Sequence, residues 1–277
     1  MIQTDTTTGK NETFVDLFEQ LTVLFNSSGQ LIRADLDGQV KLRCYVPGSP
    51  LFHMGFNEDL VVRNEERNRG PSGIIFEDVV FHKSVSLERW VQDRSVLFHP
   101  PEGEFNLMNY RMDITNLPMP FLIATRFSTI GEELADLVLT VQATLPDPFY
   151  GSSIVVNCPL PQATTSASFS FDVDDEEYER AEFSKAEKCI TWNIAKLRSG
   201  FTAVCYIKMV LEPPLHPHFK REFGPINMTF EAPMLLLSSL QVKFLRVSER
   251  NHTFTPERWI RAATTSSSYV ARLDLTK

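Results

Sequence analysis

IRADLDGQVKLRCYV, residues 32–46, alternates with period two. Ile32, Ala34, Leu36, Val40, Leu42, Cys44 and Val46 fall on one face, while Asp35, Asp37, Lys41 and Arg43 fall on the other. Successive strand side chains point to opposite sides, so this pattern predicts strands that are half buried. Asp37-Gly38 is a turn signal and would divide the stretch into a hairpin. The same alternation recurs at Leu137, Leu139, Val141, Ala143 and Leu145, at Phe169, Phe171 and Val173, and at Ile226, Met228 and Phe230. Proline-rich breaks separate these runs, and many short strands between turns predict a β-sandwich. One segment disagrees. Phe14, Leu17, Phe18, Leu21, Leu24 and Phe25 follow helical spacing, so periodicity alone reads 14–25 as an amphipathic helix.

At 277 residues, 43% hydrophobic and 22% charged, the composition is that of a water-soluble globular chain with room for two domains. No apolar run approaches the roughly 20 residues of a membrane-spanning helix. The opening MIQTDTTTGK is polar and reads as a disordered leader, residues 1–10, without the apolar core of a secretory signal. The sequons at Asn11, Asn26, Asn227 and Asn251 are accordingly read as chance matches. Cys44, Cys158, Cys189 and Cys205 are scattered and predicted to be reduced, with Cys189 and Cys205 able to face each other on neighbouring strands. RNEERNRGPSG (63–73) reads as an exposed loop, and the acidic run 172–182 as a solvated strand edge or loop. Net charge is -8, yet residues 236–277 hold seven basic against three acidic side chains. An acidic chain of this kind excludes nucleic acid as its partner.

Two short segments carry the functional signal. NETFVDLFEQ (11–20) sets Phe14, Val15 and Asp16 side by side, and ERWIRAATT (257–265) does the same for Trp259, Ile260 and Arg261. Folded into one sheet, they would surround a hole with two rings, an acid and a guanidinium. That set suits a phenol, whose faces pack on rings and whose hydroxyl bonds the acid and the cation. The competing reading makes all six ordinary strand residues in a core and on its rim. Enzyme signatures are missing: the sequence has no GxSxG, P-loop, GxGxxG or HExxH, so no catalytic residue and no cofactor is expected. His216 and His218 read as a loop pair rather than metal ligands, and His53 and His82 as packed or capping histidines.

NETFVDLFEQLTVLFNSSGQ (11–30), FEDVVFHKSVSLERW (76–90), RSVLFHPPEGEFNLMNYRMD (94–113), LQVKFLRVSER (240–250) and RWIRAATTSSSYVARL (258–273) occur in that order. Together they resemble the mu homology domain, the C-terminal cargo-reading domain of the medium (mu) subunits of vesicle-coat adaptor complexes. LPMPF (117–121) and SSYVARL (267–273) look closest to the medium subunit of the fourth adaptor complex. The resemblance runs from about Asn11 to Leu273; full medium subunits carry a longin-like domain ahead of it. It implies an elongated all-β protein of two sandwich subdomains, the second inserted into the first. Residues 11–115 plus 236–277 would form subdomain A, which binds the signal, and 116–235 subdomain B. It also argues for a strand, not a helix, at 14–25.

The family binds Tyr-x-x-Φ sorting signals, Φ being a bulky apolar residue, in cytosolic tails of membrane cargo. By resemblance Phe14, Asp16, Arg43, Trp259 and Arg261 form the Tyr pocket, with Arg43 where a lysine is usual. Val15, Val242, Leu245 and Ile260 match the apolar pocket, while Thr13 and Glu257 stand where larger apolar residues are common. The two pockets are expected to serve signal residues that point the same way. Phe81 matches the phenylalanine of a second signal site in the fourth complex, while Asn109 stands in place of its arginine, with Arg111 two residues on. Implied partners are tyrosine-signal tails and the two large and one small adaptor subunits. Implied locations are Golgi, trans-Golgi network, endosomal or coated-vesicle membranes, reached peripherally through the complex. FDVDDEEYERAEF (171–183) stands where a plasma-membrane relative has a lysine-rich lipid patch, and its acidity repels anionic lipid. The alternative is a coat-associated regulatory or scaffold module that keeps the fold without binding tyrosine signals.

Overall fold

A computed structural model describes residues 12–45, 49–63, 74–101, 103–172, 178–215, 219–249, 252–254 and 257–273, with the side chains of 12, 249, 252–254 and 257–258 left aside. The expected leader, the loop 64–73, the His216/His218 pair and the tail after Leu273 lie outside the described residues. The fold is nearly all β, as expected; the described helices are one turn at Trp90–Asp93 (α1) and a 3₁₀ turn at Phe219–Glu222.

Two compact units divide the chain. The first takes Met1–Glu19, Leu36–Asp113 and Leu235–Ala263, the second Gln20–Asp35, Ile114–Met234 and Thr264–Lys277. The expected boundary instead placed the whole of 11–115 and 236–277 together. The difference arises because three long strands, β1 (Glu12–Phe25), β2 (Leu31–Cys44) and β20 (Glu257–Ala271), each contribute one half to each unit.

The first unit adds β3 (Leu51–Gly55), β4 (Val61–Val62), β5 (Ile75–Phe76), β6 (Asp78–Phe81), β7 (Val85–Ser86), β8 (Ser95–Phe98), β9 (Glu104–Asp113), β18 (Phe244–Glu249) and β19 (His252–Phe254). One sheet runs β20-β1-β2-β9-β6, the other β19-β18-β3-β8-β7. Val15, Leu17, Leu36, Val40 and Leu42 from the first sheet and Phe52, Met54, Val96, Phe98 and Leu245 from the second are buried. Removing such surface from water is the main driving term of the fold.

The second unit's own strands are β10 (Phe121–Ile130), β11 (Leu134–Ala143), β12 (Tyr150–Pro159), β13 (Thr164–Phe171), β14 (Glu179–Ser184), β15 (Cys189–Arg198), β16 (Thr202–Leu211) and β17 (Ile226–Pro233). Its sheets run β10-β11-β16-β13 and β14-β15-β12-β17-β20-β1-β2. Leu137, Leu139, Val141 and Trp192 are buried, and the Phe121 and Phe230 rings pack 4.6 Å apart. The end of the acidic run lies on β14, at the rim of its sheet.

Of the two readings of 14–25, the strand implied by the resemblance holds and the helix does not, because Val15, Leu17, Leu21, Val23 and Phe25 form the buried period-two face. Two expectations need correction. Asp37-Gly38 is no turn: β2 runs straight through it, and Gly38 is kept bare by the Tyr110 ring lying where a Cβ would be. Cys189 and Cys205 sit on β15 and β16, strands of different sheets, and all four cysteines are free.

Candidate functional site

Strand order builds the site. β1 lies between β20 and β2, so Phe14 and Asp16 are flanked by residues of both neighbours. Arg261 Nε donates to Asp16 Oδ1 at 2.7 Å and its Nη2 to Oδ2 at 2.6 Å, joining residues 245 apart in the chain. From the other side Arg43 Nη2 comes within 3.8 Å of Oδ2, and Arg43 Nε lies 3.6 Å from Glu104 on β9. Charges thus alternate across four strands: Arg261, Asp16, Arg43, Glu104. The forked guanidinium of Arg261 matches a carboxylate edge, which makes this a strong class of ion pair. Its hydrogen bond to Asp16 holds the guanidinium of Arg261 even more firmly protonated than usual.

Aromatic groups flank the charged row. The Arg43 guanidinium carbon lies 5.4 Å from the centre of the Phe14 ring, which meets the Tyr45 ring edge-on at 6.0 Å. Tyr45 is 58% exposed and Trp259 56%, so both rings keep area open to contact. Trp259 precedes Arg261 by two on β20, so alternation turns both to one face. Asp16 is 93% shielded, but each of its oxygens retains acceptor capacity beyond the Arg261 bond. Arg43 Nε is buried without a hydrogen-bond partner among the described residues. The site therefore holds spare donors and acceptors beside exposed rings.

The residues expected for a Tyr pocket thus gather on one face, together with two that sequence reasoning missed, Tyr45 and Glu104. Tyr45 follows Arg43 by two on the polar side of the alternation, which was the available signal. The apolar set is placed differently from expectation. Val15 and Ile260 point to the opposite face from Phe14, Asp16, Trp259 and Arg261, so the two sets do not serve residues pointing the same way. Val15 and Leu245 are wholly buried; Val242 and Ile260 remain part-exposed.

The second-site trio does not share a face either. Phe81 pairs with buried Met108 and packs its ring on Trp90 at 4.7 Å. Asn109 and Arg111 alternate outward, and Arg111 Nε lies 3.7 Å from Asp37. His53 bonds Ser95 and packs on Phe244, His82 bonds Ser84 and packs on Phe105, and no metal-ligating cluster occurs among the described residues.

Two β-sandwich units that draw on three shared strands have the fold of a mu homology domain. The chain belongs to the adaptor complexes medium subunit family, whose model matches residues 2–273. It is 34% identical over 270 residues to the AP-4 complex subunit mu of Arabidopsis thaliana, covering 95% of this chain and 59% of that relative. The chain therefore spans about 59% of the relative's length. In fold it is similar to the yeast delta-COP-I mu-homology domain, with a TM-score of 0.71 at 10% identity, covering 94% of this chain and 97% of that one. It is also similar to the Danio rerio Fcho1 mu homology domain with a bound Eps15 peptide, with a TM-score of 0.62 at 12% identity and coverage of 96% and 98%.

Proposed function

We propose that this chain is the cargo-reading domain of a medium subunit of the fourth-complex type, and that it binds Tyr-x-x-Φ signals by strand addition. The observation that carries the reading is the charged row centred on Asp16, flanked by exposed rings and set beside β20. Within the first unit β20 is the outermost strand of its sheet. A cytosolic tail laid along it gains main-chain hydrogen bonds independent of sequence. The tyrosine hydroxyl donates to Asp16 and accepts from Arg261 or Arg43, while its ring lies against Phe14 and Trp259. Residues three apart in an extended peptide point to opposite sides, which fits the opposed Tyr and apolar sets. Val242 and Ile260 contact Φ, above a floor of Val15 and Leu245.

Each charge-assisted bond contributes about 1.5–3 kcal/mol and ring packing ~0.5–1.5 kcal/mol. A four-residue signal then binds at about micromolar affinity, near -8 kcal/mol. The domain works by binding alone, without catalysis or cofactor. It does so alongside two large and one small adaptor subunits, peripherally on trans-Golgi, endosomal or coated-vesicle membranes.

Calorimetric titration of a Tyr-x-x-Φ peptide, its Phe analogue and its phosphotyrosine form tests the reading. The plain peptide binds; loss of the hydroxyl weakens it about tenfold or more, and a phosphate of about -1.5 to -2 charge set against Asp16 abolishes binding. Asp16→Ala and Arg261→Ala weaken the plain peptide while the exposed end of the pair leaves the melting temperature nearly unchanged. The scaffold reading has one observation on its side, the Asp16 carboxylate already held by Arg261. Absence of tyrosine-dependent binding would decide for it.

A further inference from the structure

A groove of about 600 Å³ lies in the second unit, walled on one side by residues 123–128 of β10 and on the other by the turn at 26–29 and Arg272. Six consecutive residues of one strand line it. Because successive side chains point to opposite faces, such a groove follows the strand's edge. β10 is the terminal strand of its four-stranded sheet. The ladder fixes which backbone groups face outward. Ala143 exchanges hydrogen bonds with Phe201 and Gly200, so Ala143, Val141 and Leu139 bond towards β16. Their partners on β10, Phe121, Ile123 and Thr125, and Phe127 next in phase, then turn their N–H and C=O away from β11. The Phe121 carbonyl, facing that way, accepts from the Tyr269 hydroxyl. Ile123, Thr125 and Phe127 have no such backbone partner among the described residues.

Charge adds a second, independent feature. Arg126 and Arg272 both line the groove, both are exposed, and neither has an ion-pair or side-chain hydrogen-bond partner among the described residues. A smaller recess of about 160 Å³, formed by Leu24, Phe25 and Ile32, meets the groove at Arg272, and Ile32 is 57% exposed.

We propose that the β10 edge of the second unit docks an extended acidic peptide segment of a partner protein. Its main chain pairs with Ile123, Thr125 and Phe127, its carboxylates with Arg126 and Arg272, and one apolar side chain fills the recess of Leu24, Phe25 and Ile32. Unfilled edge backbone gives affinity, the two guanidinium groups select for acid, and the recess fixes register. This site shares no residue with the Asp16 row and stands or falls separately from it.

The probe is a phage-displayed library of random decapeptides, panned on the 277-residue chain with soluble Arg126→Glu/Arg272→Glu protein as competitor. The best recovered peptide is then labelled with fluorescein and titrated by anisotropy. Recovered sequences should alternate Asp or Glu with apolar residues, and affinity should fall at least about tenfold on the double variant. Thr125→Pro, which deletes an outward N–H and leaves the β11 ladder intact, should cause a similar loss. Asp16→Ala should have no effect. Peptides without acidic enrichment, no discriminating peptide at all, or equal binding to the double variant would each overturn the proposal, leaving Arg126 as a charge that merely guards an open edge. Circular dichroism melts report whether each variant folds; if Thr125→Pro does not, the charge variant decides alone.

Discussion

Glu19 sits in the middle of an apolar face and is 1% exposed. Tyr110 Oη donates to its Oε1 at 2.8 Å, the Leu237 N–H to Oε2 at 2.6 Å, and the Ser238 N–H to Oε1 at 3.2 Å. One carboxylate therefore ties β1 and β9 to the segment leading into β18. Glu19→Ala strands all three donors in a dry site and should cost about 3 kcal/mol, read as a fall of several degrees in melting temperature. Glu19→Gln, which keeps one acceptor, should cost less. A melting temperature unchanged in Glu19→Ala would refute the role. The Asp16 pair differs: its arginine is largely in water, so its truncation should show in peptide affinity and not in stability. Of these residues the alternation exposed Arg43 as a polar-face candidate, and Asp16 stood out by its place beside Phe14. The alternation hid Glu19, because an acid at a core position looks like a break in the pattern.

Strand β1 explains that misreading at the level of the element. Val15, Leu17, Leu21, Val23 and Phe25 make the buried face, interrupted by Glu19, while Phe14, Phe18 and Leu24 are half-buried on the other side. A strand covered on both faces loses period two, and the leftover apolar residues mimic a helix. β2 shows the opposite error. Its Asp37-Gly38 pair has turn chemistry, yet a Cβ on Gly38 would lie 2.0 Å from Tyr110 Cζ. That ring cannot yield, being stacked on Phe76 at 4.4 Å and bonded to Glu19. Gly38→Ala should therefore destabilise the first unit by about 1–3 kcal/mol, measured by thermal melting. Gly29→Ala, in open space at φ +78°, should cost only about 1 kcal/mol. Equal effects for the two would contradict the packing explanation.

At the scale of the whole molecule, burial makes the fold sensitive to alkali. It pushes the Cys205 thiol up to about 12 and raises Cys158 further, with Cys189 and Cys205 adding to the latter. Burial, then the Glu19 charge, raises Tyr110, and burial raises Tyr269. Unfolded, these groups ionise near 9.0 and 10.0. Above those values the folded chain holds more protons than the unfolded one, so stability must fall as pH rises. The contribution is complete below about pH 9. Melting temperatures at about pH 8 and about pH 10.5 should differ clearly, the alkaline value being lower. Equal values would contradict the burial of these four groups.

The sequence by itself determined the strand content, the sandwich class and the chemistry available at both ends of the chain. Local alternation and residue type are properties of neighbours along the polymer, and they need no partner to be read. Only the tertiary structure decided that Arg261, Asp16, Arg43 and Glu104 stand in one row, that the apolar set faces the other way, and that Phe81 parts from Asn109. Those outcomes depend on which strands become neighbours and in what phase. That pairing is settled by the packing of residues hundreds of positions apart, which no short stretch of sequence records.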